Sequence, residues 1–159
     1  MSTELSLRLA TRDDATTIAR LSRDRIEQGL GWSWTTPRVL RSIRDRETNV
    51  VVAMNASVPL GFGIMKYHDD EAHLLLLAVG TAHTRRGIGT ALVDWLERAA
   101  LVAGIGRVML EARATNADAR LFYQRLGYRE IQSLPGYYQG REACVRLAKD
   151  LWVGRAVPG

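Results

Sequence analysis

The stretch LLLLAVGTAHTRRGIGTAL, residues 74–92, decides how the chain is read. Its apolar opening, Leu74 to Val79, has the length and composition of a buried strand. Its close is a helix beginning near Gly87, with an apolar stripe through Ile88, Leu92, Trp95 and Ala99 at helical spacing. Between them stand Arg85, Arg86, Gly87, Ile88 and Gly89. A helix that opens this way presents backbone N–H groups without carbonyl partners at its positive end. Two glycines keep side chains away from those amides, and two arginines add cationic reach. Together these make a phosphate cradle. The dinucleotide fingerprint G-x-G-x-x-G is excluded, because counting from Gly87 the sixth position is Leu92. A P-loop is excluded as well, since no Gly-Lys-Ser/Thr follows. The glycine pair alone leaves open a plain strand-to-helix turn with solvated arginines.

Upstream, Leu5 to Ala10 alternates leucines with Ser6, Arg8 and Ala10, which predicts a half-buried first strand. Thr11-Arg12-Asp13-Asp14 supplies caps for a helix reaching about Gln28, with Ala15, Ile18, Ala19, Leu21 and Ile26 facing inward. Gly29 and Gly31 end it. Trp32-Ser33-Trp34 follows in a loop, and Pro37 opens a second helix in its first turn, ending near Arg46. Strands are expected over 49–54 and 59–67, before the central strand. Downstream, the spacing predicts a strand over 107–113, a helix over 116–126 and strands over 128–133 and 142–147. The order is β-α-α-β-β-β-α-β-α-β-β: an α/β fold with a mixed central sheet of about seven strands and about four helices.

The run Leu77-Ala78-Val79 followed by Thr84-Arg85-Arg86-Gly87-Ile88-Gly89-Thr90 resembles the acetyl-CoA-binding motif of the GNAT N-acetyltransferases, Gln/Arg-x-x-Gly-x-Gly/Ala. Thr84 departs from it at the first position. The segment from Asn116 to Tyr128, NADARLFYQRLGY, is similar to that family's Asn-x-x-Ala-x-x-x-Tyr-x-x-x-Gly-Phe/Tyr pattern. The order of elements matches the GNAT topology along nearly the whole chain. The resemblance implies a single acetyltransferase domain over residues 1–159. It implies that acetyl-CoA is held by Leu77, Ala78, Val79, Arg85, Arg86, Gly87, Ile88, Gly89, Thr90 and Asn116. Asn116 is also a natural helix N-cap, and the two roles are compatible.

Amide formation from a thioester needs a neutral amine, a polarised carbonyl, a held oxyanion and a protonated leaving thiolate, with no covalent enzyme intermediate. That suits a sequence without a Ser/His/Asp or Cys/His set. Cys144, in the last apolar strand, reads as a packed position. The resemblance makes Tyr123 the general acid; Ala119, Phe122 and Leu126 form the expected buried stripe of that helix, with Tyr123 rotated off it. Glu111 is the base candidate: a carboxylate in an otherwise mostly apolar strand is either solvent-facing or placed for work. The run Leu110-Glu111-x-Arg113-x-x-Asn116 resembles the ribosomal-protein alanine N-acetyltransferases, where the matching Glu accepts the proton. His73 is the rival base, with a structural role as its alternative.

Trp32 and Trp34 either plug the edge of the core or line the acceptor groove. Tyr137 and Tyr138, in Pro135-Gly136-Tyr137-Tyr138-x-x-Arg141-Glu142-Ala143, resemble the Tyr-Tyr…Glu-Asp-Ala segment of peptide N-terminal acetyltransferases, without its Asp. They are candidate walls of the acceptor site. The implied acceptor is a peptide or protein N-terminal amine. A small-molecule amine is the alternative, and a non-catalytic acyl-CoA sensor is a rival of another class.

A chain of 159 residues, 47% hydrophobic and 25% charged, is ordinary for one globular domain. The single cysteine rules out an internal disulfide and fits a reducing cytoplasm. The N-terminus lacks a basic start followed by an apolar block, so no secretory signal is expected, and no apolar run is long enough for a membrane span. The net charge of +5 comes almost wholly from arginines, in runs of no more than two. Scattered this way they suit a phosphate-rich cofactor better than nucleic acid. No metal, nucleic acid or membrane partner is expected, and the chain is read as a monomer or homodimer.

Overall fold

The structure is a computed structural model that describes residues 5–25, 33–80, 87–138 and 142–152. The strands are β1 (Leu5–Leu9), β2 (Thr48–Asn55), β3 (Val58–Tyr67), β4 (Ala72–Val79), β5 (Arg107–Arg113), β6 (Arg129–Tyr138) and β7 (Glu142–Asp150). The helices are α1 (Ala15–Arg25), α2 (Thr36–Arg44), α3 (Ile88–Val102) and α4 (Ala117–Arg125). The expected order of elements is therefore present. The strands form one mixed sheet in the order β1-β2-β3-β4-β5-β7-β6. β4 and β5 run parallel, with Ala72, His73 and Leu74 against Val108, Met109 and Leu110. The pairs β1–β2, β2–β3, β5–β7 and β6–β7 are antiparallel.

The chain makes two compact units, Met1–Lys66 with Leu75–Arg98, and Tyr67–Leu74 with Ala99–Gly159. In the first, the valine run Val50-Val51-Val52 of β2 is buried on both faces, as a central strand should be. The face of α1 carrying Ala15, Ile18, Ala19 and Ser22 is buried, at the i, i+3, i+4, i+7 positions of an amphipathic helix. It shares a core with Val39 of α2, Phe62 and Ile64 of β3, and Leu76 and Ala78 of β4. Two devices fix the ends of these elements. Arg8 of β1 forks onto Asp14 at 2.8 and 3.0 Å, and Asp14 also accepts the Thr11 amide at 2.7 Å in the 3-10 turn that leads into α1. After α2, Asp45 accepts from the Glu47 amide and the Thr48 hydroxyl, an Asx-type turn that starts β2.

Gly61 of β3 is required by contact. A Cβ there would lie 2.7 Å from the Ala78 carbonyl oxygen and 3.2 Å from the Val79 Cα, so β3 and the end of β4 approach at a distance only glycine allows.

The first strand departs from the half-buried strand predicted. Leu7 is partly covered, but Leu5 and Leu9 are exposed. β1 lies at the edge of the sheet and pairs only with β2, so among the described residues only the middle of its apolar face is covered.

In the second unit, alternate residues of β5, Val108, Leu110 and Ala112, are buried opposite Lys149, Leu147 and Val145 of β7. Asn116 caps α4, its Oδ1 accepting from the Ala119 amide at 3.0 Å. Arg120 clamps the far side: it forks onto Glu130 of β6 at 2.7 and 2.8 Å and donates to the Ala114 carbonyl at 2.7 Å.

Candidate active site

The cradle stands in the first unit. Gly87 takes φ +76°, a left-handed conformation that favours glycine, and among the described residues a Cβ on it would meet nothing within 4 Å. The Ala91 amide bonds the Gly87 carbonyl at 3.0 Å. The amides of Ile88, Gly89 and Thr90 thus precede the point where α3 can satisfy its own donors. A turn of such amides fits a phosphate group. Ile88 is buried and anchors the turn, while Gly87 and Thr90 are exposed. Arg85 and Arg86 lie outside the described residues. Leu77, Ala78 and Val79 end β4; the Val79 carbonyl accepts from Arg25 Nε at 3.0 Å, and the Gly80 amide donates to the Leu60 carbonyl at 2.8 Å.

The second unit carries the titratable cluster, and strand register builds it. His73 of β4 is in register with Met109 of β5. Two residues on, and therefore on the same face, is Glu111. Glu111 is directly opposite Arg146 of β7, and Arg146 is opposite Gln132 of β6. The four side chains bond in a row across four adjacent strands. His73 Nε2 and Glu111 Oε1 are 2.6 Å apart, Arg146 Nε donates to Glu111 Oε2 at 3.0 Å, and Arg146 Nη1 donates to Gln132 Oε1 at 3.1 Å. The Glu111 side chain is only 7% exposed, against 21% for His73. Burial alone would push the Glu111 pKa up. The hydrogen bonds and charges of His73 and Arg146 outweigh it, and Glu111 ionises below its ordinary value. The two rival bases read from the sequence are thus hydrogen-bonded partners.

Tyr123 is the buried residue of α4, at 8% exposure, while Ala119, Phe122 and Leu126 are only partly covered. This corrects the expected stripe. The reason lies after the helix: the chain turns at Gly127 (φ +97°), the Tyr128 amide bonds the Tyr123 carbonyl at 3.0 Å, and the two rings meet edge to face, centroids 5.7 Å apart. Tyr128 is itself buried, so the covered arc of α4 shifts toward Tyr123. Phe122 meets the same ring edge-on at 5.0 Å.

Trp34 belongs to the core cluster of the first unit at 8% exposure, with the Arg38 guanidinium 3.9 Å above its ring. Trp32 lies outside the described residues. Tyr137 and Tyr138 end β6, with Tyr138 in register with Glu142. Cys144 is fully buried, and burial, then the charge of Glu111, push its thiol up, which suits a packing residue. Among the described residues no group of His, Cys, Asp and Glu could hold a metal ion, and no helix is long and apolar enough to cross a membrane.

Arg146 and Gln132 are the residues the sequence reading missed. The signal was there: Arg146 interrupts the apolar run Cys144-Val145-Arg146-Leu147-Ala148, as Glu111 interrupts its own strand.

Comparison with known proteins adds the family. The sequence profile of the Acetyltransferase (GNAT) family matches residues 15–128. The chain is 40% identical over 78 residues to an uncharacterized N-acetyltransferase of Methanocaldococcus jannaschii, a match that spans 48% of the chain and 50% of that relative. It is 30% identical over 118 residues to the [ribosomal protein bS18]-alanine N-acetyltransferase of Escherichia coli, covering 72% of the chain and 79% of that enzyme. The solved PaiA N-acetyltransferase of Thermoplasma acidophilum, crystallised with coenzyme A, shares the fold with a TM-score of 0.81 at 19% identity, over 92% of this chain and 99% of that one. With the matching fold, the profile match over most of its length identifies the chain as an acetyltransferase of the GNAT family.

Proposed function

We propose that the protein transfers the acetyl group of acetyl-CoA to the α-amine at the N-terminus of a peptide or protein. The observation that carries this reading is the His73–Glu111 couple: a buried carboxylate hydrogen-bonded to a more exposed imidazole is an oriented acid–base pair of the kind that deprotonates an amine. A peptide ammonium must lose a proton before it can attack. The peptide acceptor is further supported by the 30% identity to the bS18-alanine enzyme.

Acetyl-CoA supplies an acyl thioester. Its pyrophosphate fits the amides around Gly87, Ile88, Gly89 and Thr90, with Arg85 and Arg86 adding charge, and its arm runs along the backbone of Leu77, Ala78 and Val79. Asn116, whose Oδ1 is already taken by the helix cap, retains its amide NH2 as a donor to that arm. Tyr123 is the general acid for the leaving thiolate. Glu111, with His73, forms the proton-accepting couple. Trp32, Tyr137 and Tyr138 are proposed to contact the acceptor, while Trp34 lies in the core of the first unit. The reaction belongs in the cytoplasm. The chain is read as one acetyltransferase domain over residues 1–159, a reading supported by the family profile that matches residues 15–128.

The test is an acceptor screen that sets peptides with different N-terminal residues against small amines, with CoA thiol release as the readout. Turnover of peptides above all small amines is expected. Turnover of small amines alone would move the acceptor to that class, and tight CoA binding without turnover of any amine would make the chain a sensor.

A further inference from the structure

The row of side chains from β4 to β6 contains one charge to which the reading above gives no task. Arg146 is directly opposite Glu111 and holds its Oε2, while Oε1 faces His73. We propose that Arg146 is a positioning residue for acetyl transfer: it fixes Glu111 as an oriented anion whose Oε1 takes the Nε2–H of His73, so that His73 Nδ1, and not the Glu111 carboxylate, receives the proton of the acceptor ammonium. This rests on the acetyl-transfer reading above and divides the work within its couple.

The geometry sets the roles. A proton placed on Oε2 would face the Arg146 N–H, and one placed on Oε1 would face the His73 N–H. Both oxygens are therefore committed to donors, in a side chain that solvent barely reaches. An anion at Oε1 selects the tautomer with hydrogen on Nε2, which leaves the lone pair on Nδ1. Among the described residues Nδ1 has no hydrogen-bond partner. In the step itself, the acceptor ammonium gives one proton to Nδ1 and becomes a neutral amine. The Nε2–H stays in place, and the imidazolium is balanced by Glu111 until water removes the proton.

On β5, Arg113 follows Glu111 on the same face, and Arg107 is taken by Glu71. On β6, Glu130 is taken by Arg120. On β7 stand Arg146 and the buried Cys144, whose thiol stays protonated. Among the described residues, His73 and Arg146 both act to lower the Glu111 pKa. Without Arg146 the Glu111 anion would lose its second charged partner, and its field would fall on His73 undivided.

The experiment compares the wild-type protein with Arg146→Met and Arg146→Lys by two readouts. One is the 15N resonances of the His73 ring across pH, which report tautomer and titration midpoint. The other is the acid limb of kcat/KM with an amine that turns over. In the wild type, His73 should carry its hydrogen on Nε2, and its midpoint should coincide with the kinetic limb. In Arg146→Met both should move up by about one pH unit, and in Arg146→Lys by less. The amine's own ionisation cannot produce that shift, because it is the same in every variant. A midpoint that moves while the limb stays would remove His73 as the proton acceptor. A midpoint that does not move, or hydrogen on Nδ1 in the wild type, would remove Arg146 from its role. Should Arg146→Met not fold, Arg146→Gln gives the same readouts. Turnover of a small amine and no peptide would overturn the acceptor assignment and leave this proposal standing, tested with that amine.

Discussion

His73 and Glu111 stand on neighbouring parallel strands, two register positions apart on one face, with Nε2 and Oε1 2.6 Å from each other. The strand register that packs Val108, Leu110 and Ala112 into the core also sets this pair on the opposite face. Placement of the titratable groups is therefore a by-product of ordinary sheet packing.

Replacing Glu111 by Gln should reveal the couple through stability as well as rate. The folded-state pKa of Glu111 is lowered, so its contribution is present above the ordinary carboxylate range and is lost as pH falls through the folded value. Losing a buried, charged acceptor should cost about 1–3 kcal/mol at neutral pH. The difference in Tm between wild type and Glu111→Gln should shrink as pH is lowered from 7 toward about 3. Thermal unfolding by circular dichroism at several pH values checks this. The same variant should lose kcat/KM, because the Nε2–H tautomer of His73 is no longer held by an anion.

Tyr123→Phe keeps the ring that packs edge-on to Phe122 and Tyr128. With folding checked by circular dichroism, kcat should fall on the order of 10²–10⁴-fold, as for loss of a general acid. CoA affinity should stay near the wild-type value. Wild-type turnover in this variant would take Tyr123 out of the chemistry.

Gly89→Val places a branched side chain in the first turn of α3, beside the amides proposed to meet the pyrophosphate. CoA affinity should drop by roughly 10-fold or more, the equivalent of one or two charge-assisted hydrogen bonds. Calorimetric titration of CoA, with the far-ultraviolet spectrum as control for folding, provides the measurement. Unchanged affinity in a folded variant would move the phosphate site elsewhere.

Trp34→Ala separates a core residue from a groove wall. Buried with α1, α2, β2 and β3, Trp34 should cost about 3–5 kcal/mol when truncated. Urea denaturation at constant m-value measures that. A stability loss near zero with a raised acceptor KM would instead return Trp34 to the groove.

Gly61→Ala tests the close approach of β3 to β4. The added methyl would meet a backbone carbonyl at 2.7 Å, which cannot rotate away, so a destabilisation of about 1–3 kcal/mol is expected. Equal stability would show that the end of β4 shifts at little cost.

Much of this was legible in the sequence because the decisive signals are local. The valine run of β2, the Gly87–Gly89 turn, Pro37 in the first turn of α2 and the Asn116 cap each state their structure within a few residues. What escaped depends on residues distant in the chain. The burial of Tyr123 is set by Tyr128 folding back past Gly127, which periodicity within the helix does not contain. Leu5 and Leu9 alternate correctly yet remain exposed, because coverage depends on what lies beside an edge strand. The bond that joins His73 to Glu111 links residues 38 apart, and Arg146 is 35 beyond Glu111. Each was visible as an odd charge or histidine in an apolar strand, but only strand register brings them together.

The parallel ladder between β4 and β5 runs over three residue pairs, and the His73–Glu111 bond lies at its far end, followed by the Arg146 link to β7. The groups proposed to handle the proton are also rivets that fasten the strands. Such a molecule could drift toward new acceptors by exchanging residues at the rim, where a change is felt only by the incoming amine. It has far less freedom along the rivets, because each altered side chain there changes reactivity and mechanical cohesion in the same stroke.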